Sequence, residues 1–147
     1  MMTVTHDDAL TARLDPTVLY RIMRLRVDVF VVEQACAYPE LDGRDLEPDT
    51  RQFWTADASG DVLATLRLLH DGEDRRIGRV ATALPARGHG YAGVLMQRAV
   101  DAAEGRLTRL DAQARLEGWY ARFGFVRSGD DFLDDEIVHV PMTRPAG

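Results

Sequence analysis

Val18, Ile22, Leu25, Val29 and Val32 recur at the three- and four-residue spacing of one helical face, which predicts a helix over 16–32 with that face buried. Its start is marked by Asp15 as N-cap and Pro16 at the first helical position, with Leu14 placed to pack on Leu19. Ahead of it, residues 1–14 read as an edge strand or a partly ordered arm. The stretch 33–52 is polar, is broken by Pro39, Gly43 and Pro48, and reads as a long loop. Such loops in compact domains often carry function.

The pattern then changes period. Residues 53–58 suit a short strand, and Ser59-Gly60-Asp61 a hairpin turn. Val62, Ala64, Leu66 and Leu68 alternate with Leu63, Thr65, Arg67 and Leu69 in a second strand, and 76–82 forms a third. A glycine-rich segment, 87–93, runs into a helical pattern of Val94, Leu95, Ala99 and Ala102. Residues 107–112 are strand-like. Leu116, Trp119, Tyr120 and Phe123 make a helical stripe that Gly124 can end. Residues 125–127 and 137–142 read as closing strands around a charged turn. That order predicts an α/β or α+β sandwich with a mixed sheet and a central strand–helix–strand unit.

Composition narrows the partners. The 147 residues suit a single domain over 1–147, long enough to bury a core without a disulfide or metal staple. All 18 basic residues are Arg against 24 acids, a net charge of −6. A mildly acidic surface repels phosphate backbones, so nucleic acid is not an expected partner, and a cationic small molecule or peptide suits it better. The single Cys36 excludes an internal disulfide framework. The opening MMTVTHDDAL has no signal-peptide pattern and no apolar run reaches bilayer length, so a cytoplasmic protein without a membrane partner is expected. His6, His70, His89 and His139 show no metal-ligand spacing, and no metal is expected.

Most of the chemistry lies in Arg87-Gly88-His89-Gly90-Tyr91-Ala92-Gly93. Glycines let backbone N–H groups approach a ligand, and a helix start behind them adds its dipole and unpaired donors, which suits a pyrophosphate. Arg87 can add a side-chain fork. Three glycines in the six residues 88–93 exceed what one tight turn needs. Gly88, Gly90 and Gly93 also match G-x-G-x-x-G, with Asp111 18 residues beyond, a dinucleotide-binding pattern. Against that reading, Ala83-Leu84-Pro85-Ala86 separate strand from glycines, and only 36 residues follow Asp111, too few for a second nucleotide-binding half.

Arg87, Gly90 and Ala92 also meet the Q/R-x-x-G-x-G/A pattern of the GCN5-related N-acetyltransferase (GNAT) superfamily, which this chain resembles. Trp119-Tyr120-Ala121-Arg122-Phe123-Gly124-Phe125 resembles the superfamily's aromatic-Tyr-x-x-x-Gly-Phe segment. The segments 26–45, Ile77-Gly78-Arg79-Val80, Leu110-Asp111-Ala112-Gln113 and His139-Val140-Pro141-Met142 are similar to its ElaA-like branch, so the resemblance spans nearly the whole chain. Two positions depart from that branch: Gln52 stands where His is frequent, and Glu136 where Gly is frequent after the acidic pair.

The resemblance implies a mixed, mostly antiparallel twisted sheet flanked by helices, and acetyl-CoA as co-substrate. The backbone of Val80, Ala81 and Thr82 would pair with the pantetheine arm and supply an oxyanion donor. Arg87, Gly88, His89, Gly90, Tyr91, Ala92 and Gly93 would hold the pyrophosphate. Direct attack by a primary amine of a small molecule or peptide requires a positioned thioester, a proton acceptor for the amine and a proton donor for the thiolate. The resemblance makes Tyr120 that donor, although spacing alone places it in a core stripe. The third strand holds no acid, so the base stays open between Glu33, His139 and Asp111, in that order, and a water chain. Each of the three can instead make a structural hydrogen bond. Arg26, on the Glu33 helix, can bind a substrate carboxylate or pair with an acid; Glu33 and Asp111 are further acceptor-site candidates. Cys36 reads as a packing residue. Glu40, Asp42 and Asp45 read as a solvated loop that could also draw in a cation, and the acids of 130–136 as a solvated turn. A homodimer stays open. A non-catalytic acyl-CoA-binding domain is the remaining alternative.

Overall fold

The computed structural model describes residues 3–147; residues 1 and 2 of the expected arm lie outside them. Strands β1 (Val4–Leu10), β2 (Arg51–Asp57), β3 (Val62–Asp71), β4 (Asp74–Thr82), β5 (Thr108–Gln113), β6 (Val126–Arg127), β7 (Phe132–Asp134) and β8 (Ile137–Arg144) form one sheet. Its order is β1-β2-β3-β4-β5-β8-β6, with β7 also paired to β8. Every pairing is antiparallel except β4 with β5. The arm is therefore an edge strand, fastened to β2 and held from behind by Arg98, whose Nη1 donates to the His6 carbonyl at 3.0 Å.

Alternation along the strands sends side chains to two faces. Phe53, Leu66, Leu68, Ile77 and Leu110 pack under helix α2 (Tyr91–Ala102), against its buried Leu95, Met96 and Ala99. Trp54 and Ala56 point the other way, onto Ile22 of helix α1 (Pro16–Val27). The Asp15 side chain caps α1 by accepting from Thr17 N–H at 2.8 Å, and Leu14 joins the Ile22–Trp54 cluster alongside Val18. Helix α3 (Glu117–Ala121) is short and sends Tyr120 into the main core.

Two irregularities shape the middle of the sheet. Thr65 pairs with Ala81 but Arg67 with Gly78, so Arg79 and Val80 together oppose Leu66, with Arg79 at φ 54°. This bulge resets the alternation: Ile77 faces α2, whereas Ala81 packs on Leu25 and Val29 of the other layer. Next to it, β4 and β5 pair only at Arg75–Thr108 and Arg76–Arg109 and then separate. Beyond that point β5 continues against β8 alone, and the β5-facing edge of β4 has no strand beside it.

The helix expected over 16–32 departs from the sequence reading at its end. After Val27 it widens into a π-turn, Asp28–Glu33, in which Gln34 N–H reaches back to the Val29 carbonyl. One extra residue per turn rotates the downstream side chains by about 100°. Val32, placed by periodicity on the buried stripe, is 68% exposed, and Phe30 and Glu33 come round to the open edge of β4 instead. β7 also escaped the pattern, because it lies inside the acidic run. It forms a hairpin with β8 through Asp135 and Glu136, both left-handed, at φ 47° and 65°.

The solvated loop expected around Glu40, Asp42 and Asp45 is mostly interior. Glu40 and Asp45 are buried, and three guanidinium groups meet the three carboxylates. Arg26 Nε donates to Glu40 Oε2 and its Nη1 to Asp45 Oδ1, both at 2.7 Å. Arg67 grips Asp42 at 2.7 and 2.9 Å and reaches Asp45 at 3.2 Å. Arg79 completes the set, 3.3 Å from Asp42. Gln52, fully buried, donates to Asp45 at 2.9 Å and to the Thr11 hydroxyl at 3.1 Å. Charges this deep persist only when paired, and here they balance three against three.

Candidate active site at the splayed strands

Where β4 and β5 part, a cleft of about 680 Å³ opens, floored by Val80, Ala81 and Thr82 and closed at one end by the glycine turn. Gly88 and Gly90 adopt φ 86° and 78°, so the turn itself requires them. Gly93 has no such requirement: it lies in the first turn of α2, where a Cβ would sit 3.7 Å from the Phe123 ring. No side chain caps α2, whose first internal bond is Val94 N–H to Gly90 O. The N–H groups of the helix start are left for a ligand, and the dipole favours an anion there. Tyr91, Ala92 and Gly93 all border the cleft, as do Arg87, Gly88 and Gly90. His89 stacks on the Tyr91 ring at 5.4 Å outside it.

Arg87 is engaged differently from the phosphate fork expected of it. Its Nε donates to the Thr82 carbonyl at 3.0 Å, and Nη1 and Nη2 clamp Glu33 at 2.8 and 2.7 Å. Hydrogen bonding to Arg87 lowers the Glu33 pKa, which weakens that carboxylate as a proton acceptor. Arg26, an acceptor-site candidate in the sequence reading, is fully buried with its donors spent on Glu40 and Asp45, and does not border the cleft. Its periodic position is compatible with either role, and the acidic loop that folds over it decides between them.

The remaining candidates do converge on the cleft. Tyr120 is 6% exposed, stands edge-on to Trp119 at 4.9 Å, and has no hydrogen-bond partner for its hydroxyl among the described residues. Burial pushes its pKa up to about 12, so the phenol stays protonated at neutral pH. His139 reaches the cleft from β8, next to Gln113 of β5. Its Nδ1 lies 2.8 Å from the Ile137 carbonyl, so Nδ1 carries the hydrogen, and in the neutral ring Nε2 is then the proton acceptor. Asp111 also lines the cleft, exposed and 3.4 Å from Arg76.

Cys36, Tyr38, Arg79 and the Asp134–Asp135 corner form the far wall. Cys36 is buried, with its Sγ 3.5 Å from the Gln34 carbonyl, in keeping with a packing role. Tyr38 donates to Glu40 at 2.9 Å beneath Arg79, whose guanidinium lies 5.4 Å from its ring. Arg79, Arg115, Trp119 and Arg122 were not named as site residues from the sequence, although Arg79, Trp119 and Arg122 lie in segments that carry the family resemblance. For Arg115 the signal available was its place beside the Tyr120 stripe. Among the described residues no group of three His, Cys, Asp or Glu side chains is arranged to hold a metal ion, and no helix is long and apolar enough to cross a membrane.

The model of the "Acetyltransferase (GNAT) domain" family matches residues 25–145. The chain belongs to the GNAT family. It is 53% identical over 136 residues to a UPF0039 protein of Mycobacterium tuberculosis, covering 90% of this chain and 87% of that one. Two solved structures superpose closely. An acyl-CoA N-acyltransferase from Pseudomonas aeruginosa gives a TM-score of 0.91 at 40% identity, covering 97% of this chain and 99% of that one. Escherichia coli ElaA gives 0.90 at 30% identity, with the same coverage of both chains. The protein is thus an ElaA-like GNAT acyltransferase. The dinucleotide-binding reading of Gly88, Gly90, Gly93 and Asp111 is overturned by this membership and by a sheet whose single parallel pairing is two residues long.

Proposed function

We propose that this GNAT acyltransferase moves the acetyl group of acetyl-CoA to a primary amine of a small molecule or peptide by direct attack on the thioester. One observation carries the reading: the unpaired edge of β4 and the uncapped start of α2 border one cleft. A strand edge offers main-chain partners to an extended amide-bearing arm, and the helix start offers donors to a diphosphate. The arm lies along Val80, Ala81 and Thr82, and a main-chain N–H there meets the developing oxyanion.

The chemistry follows from the groups around the sulfur. The amine nitrogen attacks the thioester carbonyl carbon, and the C–S bond of the tetrahedral intermediate breaks. Tyr120 gives its hydroxyl proton to the departing thiolate and recovers one from solvent. His139 Nε2, directly or through water, takes the proton that the amine loses. Glu33 is demoted from first to second candidate for that task by its clamp on Arg87. Asp111 and Glu33 flank the acceptor's approach, and the acidic net charge suits a cationic amine.

The test is a thiol-release assay with acetyl-CoA against a panel of amines, with NAD(H) titrated as a control ligand. Saturable acetyl-CoA binding with amine-dependent thiol release supports the proposal. Acetyl-CoA binding without release for any amine supports a silent binding domain, and absence of binding removes the coenzyme altogether.

A further inference from the structure

Among the described residues Gly78 is the one glycine inside a strand, and none of the usual reasons for a glycine applies to it. Strand interiors disfavour glycine, which has no side chain to pack and more freedom to lose on folding. A bulge follows at once, but its left-handed residue is Arg79, at φ 54°, and the φ of Gly78 lies outside that region. Nor is the backbone crowded: a Cβ at Gly78 would meet no described atom within 4 Å. The space above Gly78 is open, and it belongs to the cleft. A bare strand position of this kind marks a place where a ligand comes close to the backbone.

The surroundings of that position are fixed. Register sets Gly78 opposite Arg67, so the two share a face of the sheet, as does Arg76 two residues back. On one side Tyr38 donates to Glu40 at 2.9 Å, and Arg79 Nε lies 2.9 Å from the same carboxylate. On the other, Arg76 holds Asp71 at 3.1 Å and reaches Asp111 at 3.4 Å. Tyr38, Arg79, Arg76 and Asp111 all border the cleft. Ion pairs and hydrogen bonds therefore tie both walls, and the depth of the floor between them is set by residue 78.

We infer that Gly78 determines acceptor specificity, and that the acceptor is a primary amine with a broad body, branched or ring-bearing close to its nitrogen. The inference rests on the acyl-transfer reading above. On that reading the coenzyme arm occupies Val80, Ala81 and Thr82, and the glycine turn lies beyond Thr82. The acceptor then comes from the opposite side of Val80, across Gly78. Two residues of strand span about 6–7 Å, which places Gly78 under the carbons two or three bonds behind the attacking nitrogen. A slender chain would pass over a small side chain there; a wide body needs the bare backbone.

Thiol release from acetyl-CoA tests this with the full chain, Gly78→Ala and Gly78→Val, using amines paired by carbon count: butylamine with sec-butylamine, and hexylamine with cyclohexylamine. By kcat/KM the parent should use the broad member of a pair at least as well as the slender one. Gly78→Val should lower that broad-to-slender ratio by about tenfold or more, and Gly78→Ala by less, because each added methyl displaces the ligand. Neither variant should melt below the parent, since alanine and valine suit an uncrowded strand position better than glycine does. Calorimetric affinity for acetyl-CoA should stay within about twofold. An unchanged ratio in Gly78→Val, a lowered melting temperature in both variants, or a parent that accepts neither broad amine overturns the role of Gly78 alone. A parent that binds no acetyl-CoA, or releases thiol with no amine of any kind, overturns the acyl-transfer reading and this inference with it.

Discussion

Glu33 holds Arg87 through two parallel hydrogen bonds, 2.8 and 2.7 Å long, that tie the end of the widened α1 helix to the glycine turn. The clamp joins two walls of the cleft, and on the proposed reading Glu33 comes from the acceptor side and Arg87 from the coenzyme side. Glu33 closes the π-turn at the end of that helix, on the side that borders the cleft. An incoming diphosphate would meet a guanidinium already shared with a carboxylate.

Removing that competitor has a definite sign. Glu33→Gln keeps the side-chain shape but ends the charge pairing, leaving Arg87 free for the coenzyme. Acetyl-CoA should bind about two- to fivefold more tightly, the scale of a partly exposed ion pair. The dissociation constant, measured by calorimetry at fixed salt, checks it. Weaker binding would show instead that the clamp holds Arg87 in the shape the coenzyme needs.

The buried network predicts a large loss at Arg26. Arg26→Leu leaves the Glu40 and Asp45 carboxylates buried with fewer partners, a situation that typically costs about 3–5 kcal/mol. Urea denaturation reads the change directly. A loss under about 1 kcal/mol would mean that the loop simply opens to water.

Acid should loosen the same network. Hydrogen bonds from Arg67 hold the Asp42 carboxyl well below the usual carboxylate range. Burial alone would raise Asp45, but the hydrogen bond and charge of Arg26 outweigh it, and its pKa is also lowered. Both folded values lie below the unfolded ones, so the unfolded chain binds more protons. Their stabilisation is complete above the unfolded value near 4 and is lost as pH falls below it. Melting temperatures should change little through these two groups between about pH 7 and 5 and then drop toward about pH 3. A flat profile down to that pH would contradict the pairing.

Much of the scaffold was legible because it depends on local pattern. The Asp15–Pro16 start, the β3 alternation and the glycine turn all lie where periodicity and turn chemistry placed them. What stayed hidden depends on partners distant in sequence. Arg26 became an interior ion because residues 40–45 fold over it, and Val32 turned outward because one wide helical turn shifted the phase. β7 was obscured by charge: its three residues are all exposed, so no buried face marks them as a strand. Tyr120 was legible as a core residue, and it is one; it also borders the cleft, where the acid role proposed for it would be exercised.

The β7–β8 hairpin carries removable strain. Glu136 sits at φ 65°, a conformation that costs an ordinary side chain about 1–2 kcal/mol and glycine almost nothing. Glu136→Gly should stabilise the protein by roughly 0.5–1 kcal/mol after the greater freedom of glycine in the unfolded chain is counted. The shift in urea midpoint measures it, and a lowered midpoint would mean that the Glu136 side chain makes a contact worth more than the strain.

Tyr120→Phe separates the two roles of this residue. The ring remains, so packing against Trp119 persists and the melting temperature should hold. Only the hydroxyl is lost, and with it the proton for the thiolate. Turnover should fall by about 10²-fold or more, the usual scale for a general acid, with the KM for acetyl-CoA within about twofold. The pH profile adds a second readout. Burial raises the hydroxyl's pKa to about 12, so it keeps its proton through the neutral and mildly alkaline range. Any alkaline limb that Tyr120 causes in kcat must therefore lie near that value, well above any limb from an imidazole. If the variant turns over at the parental rate, Tyr120 is a core residue only and the thiolate takes its proton from water.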